Sequence, residues 1–137
     1  MSGVERILET AIYVDDLPRA TTFYRSVFGF EALVESERLV AFDVSGTSVL
    51  LLFKRAESVK GLATAGGWIP PHDASGPAHF AFAIARDAVE SWKSRLLRAG
   101  VAIESIVQWE RGGTSLYFRD PDNHSVELVT QGTWKTW

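Results

Sequence analysis

Hydrophobic and polar residues alternate along most of this chain, and two amphipathic stretches with helical spacing interrupt the alternation. Residues 7–14 alternate with period two, which predicts a β-strand. Asp16 is a plausible N-cap and Gly29 a C-terminal stop, and apolar residues between them recur at i, i+3, i+4 and i+7. Three short strands are predicted next, at residues 30–35, 39–44 and 48–54. The first half of the chain therefore predicts the order β-α-β-β-β.

The second half of the chain repeats this order of elements. A strand is predicted at residues 78–85, and Asp87 and Glu90 form a possible capping box for the helix that follows. Three further strands are predicted at residues 101–109, 115–119 and 125–130. Superposing Glu9 on His79 aligns the first strands of the two halves. Sequence identity between the halves is weak, but the repeated order indicates an internal duplication.

The pattern predicts an α+β fold made of two βαβββ modules in tandem, each with one helix covering one face of its sheet. We expect a single domain, residues 1–137, with these parts: a first module at 5–54, an inter-module loop at 55–76, a second module at 77–131 and a C-terminal tail at 132–137. A loop of this length is either a lid over the substrate or a mobile connector. Trp134 and Trp137 in the tail are expected to pack onto a surface or a partner subunit.

Composition narrows the class of protein further. The chain has 137 residues, and its 46% hydrophobic and 23% charged content is typical of a globular protein. The net charge of −3 is spread along the chain, which argues against nucleic-acid and membrane-surface partners. There are no cysteines, so disulfides and thiolate chemistry are excluded. No apolar run is long enough to cross a bilayer, and the start MSGVER lacks a signal-type apolar core, so a cytoplasmic protein is expected.

Strand alternation assigns a second face to each sheet, pointing away from its helix. The positions assigned to this face are Glu9, Ala11 and Tyr13; Ser48, Leu50 and Leu52; His79, Ala81 and Ala83; Ser115 and Tyr117; and Ser125, Glu127 and Val129. They are small, apolar or ionisable, unlike the Lys, Arg and Thr of an ordinary wet surface. If the two sheets curve around a shared central cavity, these residues line it.

Four positions on this face are equivalent between the two modules: Glu9 and His79 on the first strands, and Leu50 and Glu127 on the last. Three of the four can ligate a metal. A carboxylate, an imidazole and a second carboxylate suit a divalent Mn, Fe, Ni, Co or Zn ion. Three protein ligands leave positions open for water and substrate, as a catalytic metal site requires.

Two stretches resemble a known family. The segment ETAIYVDDLPRATTFYRSVFGFEAL resembles the first module of the vicinal oxygen chelate superfamily, the glyoxalase/bleomycin resistance protein/dioxygenase group. The segment SLYFRDPDNHSVELV is similar to the closing motif of that family, usually written with Asp-Pro-Asp-Gly and a final Glu. The likeness spans nearly the whole chain. It implies two βαβββ modules whose mixed sheets curve around a metal cavity, and it implies a homodimer.

Residue by residue, the resemblance places Glu127 at the closing metal glutamate and His79 at the second-module histidine. Glu9 stands where many members have His or Gln, so it is either a ligand or a catalytic base. Leu50 departs from glyoxalase I, which has a ligand there. Tyr117 stands where fosfomycin-modifying members place a phosphonate-contacting tyrosine, so it either orients a substrate oxygen as a catalytic residue or lines the cavity.

Several aromatic and basic residues are candidates for substrate binding. Trp68, Trp109 and Arg111 would form an aromatic and cationic rim for an anionic or planar ligand, with ordinary loop packing as the alternative. The remaining substrate-binding candidates are Tyr13 and Tyr117. His72 and His124 are expected to be surface residues.

These observations favour a divalent-metal-dependent enzyme that chelates neighbouring oxygens of a small-molecule substrate. The reaction is left open among lyase, isomerase, transferase and dioxygenase chemistry. The alternative is a non-catalytic protein of the bleomycin-resistance type that sequesters a drug or metabolite. A duplicated scaffold with a vestigial site is the third possibility.

Overall fold

The structure is a computed structural model and describes residues 3–137. Its strands and helices are, in order, β1 (Glu9–Val14), α1 (Leu17–Phe28), β2 (Ala32–Glu35), β3 (Leu39–Val44), β4 (Ser48–Lys54), β5 (Leu62–Thr64), β6 (Gly67–Ile69), β7 (His79–Ala83), α2 (Val89–Arg98), β8 (Ser105–Gln108), β9 (Thr114–Arg119) and β10 (Ser125–Val129). The chain forms two compact units, of which the first ends at Ser75 and the second is Gly76–Trp137. Each unit contains one βαβββ module with a mixed sheet, so the predicted fold class is confirmed.

The first unit has the strand order β1-β4-β3-β2, with β1 parallel to β4 and the other pairs antiparallel. Helix α1 begins and ends as its sequence predicts. The Asp16 carboxylate accepts a hydrogen bond of 3.0 Å from the backbone N–H of Arg19, which satisfies one of the free donors of the first turn. Gly29 ends the helix at φ 72°, a left-handed conformation that glycine adopts without a steric penalty.

Helix α1 covers a strongly apolar face of this sheet. Ile12 and Val14 of β1 and Leu50 and Leu52 of β4 are at most 1% exposed. The buried stripe of α1 includes Ala20, Tyr24 and Val27. Removing this apolar surface from water supplies the main driving force for folding of the unit.

One prediction about the opposite face of this sheet, the assignment of Leu50 to it, was wrong. The parallel register pairs Glu9 with Val49 and Ala11 with Leu51, and paired residues point to the same side of a sheet. Leu50 therefore belongs to the helix side rather than to the face of Glu9, as does Leu52. The assignment was wrong by one residue because the run VLLLF of β4 is uniformly apolar and carries no alternation.

The second unit has the same topology, with the strand order β7-β10-β9-β8 and β7 parallel to β10. Glu127 pairs with Ala81 of the first strand, as Leu51 pairs with Ala11 in the first unit. Leu51, and not Leu50, is therefore the counterpart of Glu127. The buried face of this sheet carries Val126, Leu128, Leu116 and Phe118, all fully buried.

Helix α2 does not use the predicted capping box. A short 3₁₀ helix, Arg86–Ala88, precedes it, and Ala88 occupies the N-cap without a side-chain hydrogen bond. Glu90 instead forms an ion pair of 2.7 Å with Lys93, one turn further along the helix. Within residues 3–137, neither α1 nor α2 is long and apolar enough to span a lipid bilayer.

The connecting segment contains a β-hairpin that the sequence did not predict. Strands β5 and β6 pair antiparallel, and the Thr64 hydroxyl donates 2.7 Å to the carbonyl of Gly67 across the turn. All six strand residues are exposed. A hairpin this short and exposed has no buried face, so its sequence lacks the alternation by which strands are recognised.

The corrected register predicts that shortening two neighbouring leucines destabilises the protein to different extents. Leu50→Ala should lower the free energy of unfolding by about 2–5 kcal/mol, because it leaves a cavity beneath α1. Leu51→Ala, at a half-buried position on the face of Glu9, should cost about 1 kcal/mol or less. Urea unfolding of both variants checks this, and equal losses, or a larger loss for Leu51→Ala, would show that the register is wrong.

Candidate metal centre

His79 and Glu127 meet on the open face of the second sheet. His79 begins β7, and Glu127 lies in the middle of the adjacent parallel strand β10. The Nε2 atom of His79 lies 3.2 Å from Oε1 of Glu127. The histidine side chain is 53% exposed and the glutamate side chain is 8% exposed. A buried carboxylate thus faces an imidazole that is open to solvent.

The other ring nitrogen determines what His79 presents to this carboxylate. Nδ1 lies 3.0 Å from the carbonyl oxygen of Ser125, and because a carbonyl only accepts, Nδ1 carries the proton. The Nε2 of a neutral ring then has a lone pair directed toward Oε1 of Glu127. Two acceptors at 3.2 Å repel each other unless a proton or a cation lies between them. This arrangement suits a metal ion, since metal-ligating histidines commonly donate their second N–H to a carbonyl.

Two further side chains hold the second oxygen of Glu127. The Ser115 hydroxyl donates a hydrogen bond of 2.5 Å to Oε2, and the indole N–H of Trp109 donates 2.7 Å to the Ser115 oxygen. Ser115 is fully buried. This chain of donors stabilises the ionised carboxylate and keeps Oε1 directed toward His79.

This role of Ser115 and Trp109 was not predicted from the sequence. Alternation placed Ser115 on the same face as Glu127, which was the available signal. Trp109 was predicted to belong to a ligand rim, whereas its indole N–H is directed at Ser115 and its exposed fraction is 38%.

Tyr117 lies directly opposite Glu127 in the antiparallel pair of β9 and β10. Its ring centroid is 6.1 Å from that of His79, and the two planes are 30° apart. Burial raises the pKa of the Tyr117 hydroxyl, and the negative charge of Glu127 raises it further. Tyr117 therefore remains a protonated hydrogen-bond donor at neutral pH.

The remaining predicted site residues are distributed over both units. Glu9 and Trp68 are exposed in the first unit, the latter on β6. Arg111 is exposed in the turn between β8 and β9. Among residues 3–137, no group of three His, Asp or Glu side chains is close enough to hold a metal ion. The structure thus brings His79, Glu127 and Tyr117 together and places Glu9 in the other unit.

Tyr13 contacts a histidine that was expected to lie at the surface. Its hydroxyl is 2.6 Å from Nδ1 of His72, and the His72 ring meets Phe53 edge-on at 4.5 Å. His72 is consequently half-buried. Burial raises the pKa of Tyr13, and the negative charge of Asp73 adds to the shift, so the phenol donates and His72 accepts. No local sequence pattern predicts this contact, because the partners are 59 positions apart.

His124 was also expected at the surface, and this prediction was wrong. It is 1% exposed, and its Nδ1 accepts a hydrogen bond of 2.8 Å from the backbone N–H of Ala78. The backbone N–H of His124 donates 2.9 Å to the carboxylate of Asp120. The turn after β9 therefore folds inward and connects the start of β7 to the start of β10.

The chain is similar to known proteins in both sequence and structure. Residues 6–128 match the family model described as the Glyoxalase/Bleomycin resistance protein/Dioxygenase superfamily. Metallothiol transferase FosB of Bacillus licheniformis is 31% identical over 118 residues, covering 85% of this chain and 70% of that protein. Glutathione transferase FosA of Serratia marcescens is 29% identical over 118 residues, with 84% and 73% covered.

A solved structure is also similar over nearly its full length. The crystal structure of lactoylglutathione lyase from Agrobacterium tumefaciens has a TM-score of 0.88 and 38% sequence identity to this chain. The match covers 98% of this chain and 99% of that one.

Removing the hydrogen bond from Ser115 to Glu127 should measurably lower the free energy of unfolding. Ser115→Ala leaves a buried carboxylate oxygen without its donor, which should lower the free energy of unfolding by about 1–3 kcal/mol. Ser48→Ala, at a half-buried serine of β4, is the matched control and should change it by less than about 0.5 kcal/mol. Urea unfolding at neutral pH provides the measurement, and equal effects of the two substitutions would argue against the donor chain.

Proposed function

This chain belongs to the glyoxalase/bleomycin resistance protein/dioxygenase superfamily, and we propose that it is a divalent-metal-dependent enzyme acting on a small molecule with neighbouring oxygen atoms. One observation carries the proposal: Nε2 of His79 faces Oε1 of Glu127 at 3.2 Å while Nδ1 is bound to the carbonyl of Ser125. Two ligand atoms that each lie about 2.1 Å from one ion are separated by about this distance. The donors present therefore fit a metal.

We propose Glu9 as the third ligand. It is the counterpart of His79 on the first strand of its own module, and its exposed carboxylate is available to an ion. The resulting set of one nitrogen and several oxygen donors suits Mn, Fe, Ni, Co or Zn. Three protein ligands leave the ion open positions for substrate.

The assembly in this proposal is a cytoplasmic homodimer. Both sheets end in edge strands that expose apolar side chains, Leu33 and Val34 in β2 and Ile106 in β8. Unprotected apolar edges of this kind are typical sites of association. A second copy would cover them and would also offer a second Glu9.

The side chains around the ion have two roles: some orient a ligand of the ion, and one donates a hydrogen bond to the substrate. A bound divalent ion would act as a Lewis acid toward two neighbouring substrate oxygens. Ser115 and Trp109 hold the carboxylate of Glu127 in one orientation, which lowers the cost of reorganisation during reaction. Tyr117 keeps its proton because its pKa is raised, so it donates a hydrogen bond to a substrate oxygen as negative charge develops there.

The names of the similar proteins suggest the substrate class. They are a metallothiol transferase, a glutathione transferase and a lactoylglutathione lyase, each named for a thiol. We therefore propose that this enzyme joins a low-molecular-weight thiol to an oxygen-bearing small molecule, as a transferase, or acts on such a conjugate, as a lyase.

Metal binding is the first test of this proposal. Protein reconstituted with Mn, Ni, Zn or Fe(II) should bind about one equivalent of ion, and His79→Ala, Glu127→Ala and Glu9→Ala should each weaken binding at least about tenfold. His72→Ala and Glu57→Ala remove the same chemical groups elsewhere and should leave affinity unchanged.

Isothermal titration and metal analysis provide the measurement. Less than about a tenth of an equivalent in the wild-type protein would contradict a resident metal. If a small ligand bound tightly and equally to a Glu9→Ala/His79→Ala/Glu127→Ala variant, the sequestering function would be favoured instead.

Tyr117 tests the catalytic part of the proposal separately from metal binding. With metal-loaded protein and glutathione as the probe thiol, turnover is measured as loss or release of free thiol across a panel of epoxides, dicarbonyls and thiol conjugates. Tyr117→Phe should lower kcat about tenfold or more and leave the metal content unchanged. Tyr24→Phe, at a fully buried tyrosine of α1, is the control. An unaltered kcat in Tyr117→Phe would remove Tyr117 from the mechanism.

A further inference from the structure

A cleft of about 590 Å³ in the second unit shares no lining residue with the candidate metal centre. Its volume is within the range of small-molecule sites. Three cations and two tryptophans dominate its lining, which consists of Arg86, Arg111, Gln131, Gly132, Trp134, Lys135 and Trp137. Arg111 was predicted from the sequence to contact an anionic or planar ligand, and here it lies beside different aromatic residues from those predicted.

A close backbone contact builds one wall of this cleft. The N–H of Gly113 donates 3.2 Å to the carbonyl of Gly132, joining the β8–β9 turn to the C-terminal segment. A Cβ atom on Gly132 would lie 2.6 Å from the nitrogen of Gly113, and Gly132 has φ +104°, so only glycine fits. The Thr133 hydroxyl also donates 3.2 Å to the carbonyl of Thr130. The tail is therefore held beside the turn that carries Arg111.

The charge of the cleft is not balanced by the protein. Among residues 3–137, the side chains of Arg86, Arg111 and Lys135 take part in no ion pair and no hydrogen bond. Other cations do have carboxylate partners, as in the Arg25–Glu35 and Arg119–Glu104 pairs. Among the described residues that line the cleft, none is acidic. In a chain of net charge −3, three unpaired cations around one concavity concentrate positive potential where an anion would bind.

The tryptophans indicate the shape of that anion. Trp134 is 77% exposed and Trp137 is 59% exposed, so two large indole rings face water. Indole rings bind planar aromatic groups by stacking, and guanidinium groups add contacts to carboxylate, sulfonate or phosphate oxygens. We propose that this cleft is a binding site for a planar aromatic anion. The site does not depend on the proposed metal or on the proposed thiol chemistry.

The test uses naphthalene-2-sulfonate as the probe and the full-length protein labelled with ¹⁵N. Saturable shifts are expected for the indole N–H resonances of Trp134 and Trp137, while those of Trp68 and Trp92 stay in place. Methanesulfonate lacks the ring and 2-naphthol lacks the charge at neutral pH, so both should bind at least about tenfold more weakly. No saturable shift at millimolar probe, or shifts centred on Trp68 or Trp92, would overturn the proposal.

Matched variants locate the site. Arg86→Gln/Arg111→Gln/Lys135→Gln, and separately Trp134→Ala, should weaken probe binding about tenfold or more. Lys93→Gln/Arg95→Gln/Arg98→Gln removes the same charge from α2, including the guanidinium 4.9 Å above the Trp92 ring, and should change affinity by less than about twofold.

A final variant separates this site from the metal centre, and a dilution series separates it from self-association. His79→Ala/Glu127→Ala should retain full probe binding even where metal binding is lost. Equal loss in the two triple variants, or loss in the His79→Ala/Glu127→Ala variant, would overturn the proposal. The proposal would also be overturned if the Trp134 and Trp137 resonances shifted with protein concentration in the absence of probe and the probe added nothing.

Discussion

The parallel pairing of the first and last strands in each module is the constraint on which the rest of the structure depends. In both units this pairing sets which side chains share the face away from the helix. It pairs His79 with Ser125, so Glu127 lies two residues further along the neighbouring strand, and Leu51 occupies the position of Glu127 in the first module. A shift of one residue in either pair would exchange the buried face for the open one. The candidate site therefore exists only if the strands pair in this register, whatever chemistry its side chains perform.

The second constraint is the burial of a carboxylate. An ionised Glu127 that is 8% exposed must recover its lost hydration from protein groups. Ser115, which accepts a hydrogen bond from Trp109, donates one to the first oxygen, and the other oxygen lies 3.2 Å from Nε2 of His79. At 3.2 Å, a proton or a cation must lie between this oxygen and the imidazole nitrogen, and this requirement is the physical basis of the proposed metal site.

The aromatic residues are used differently in the two units. Tyr13 and Phe53 surround His72 and fix the connecting segment on the first unit. Trp134 and Trp137, by contrast, remain exposed beside cations that have no partner among the described residues. Contacts of the first kind stabilise the fold, because each group is satisfied within the protein. In the second kind, the cations have no partner within residues 3–137, which is the physical reason to propose a ligand there.

Much of the fold was determined by the sequence itself, because α1 and the strands of both modules carry local signals. The caps at Asp16 and Gly29 and the period-two alternation are such signals, and they are interpretable without any contact between distant residues. Alternation also placed His79 and Glu127 on one face. It failed in the uniformly apolar strand β4, where only strand pairing distinguishes Leu50 from Leu51.

Tertiary structure alone decided the contacts between residues far apart in the chain. The burial of His124, the contact between His72 and Tyr13, and the support of Glu127 by Trp109 all depend on distances in space. The spacing of residues along the chain does not predict such distances. A hydrogen bond forms only where the folded backbone brings donor and acceptor within about 3 Å, and that is a property of the packed molecule.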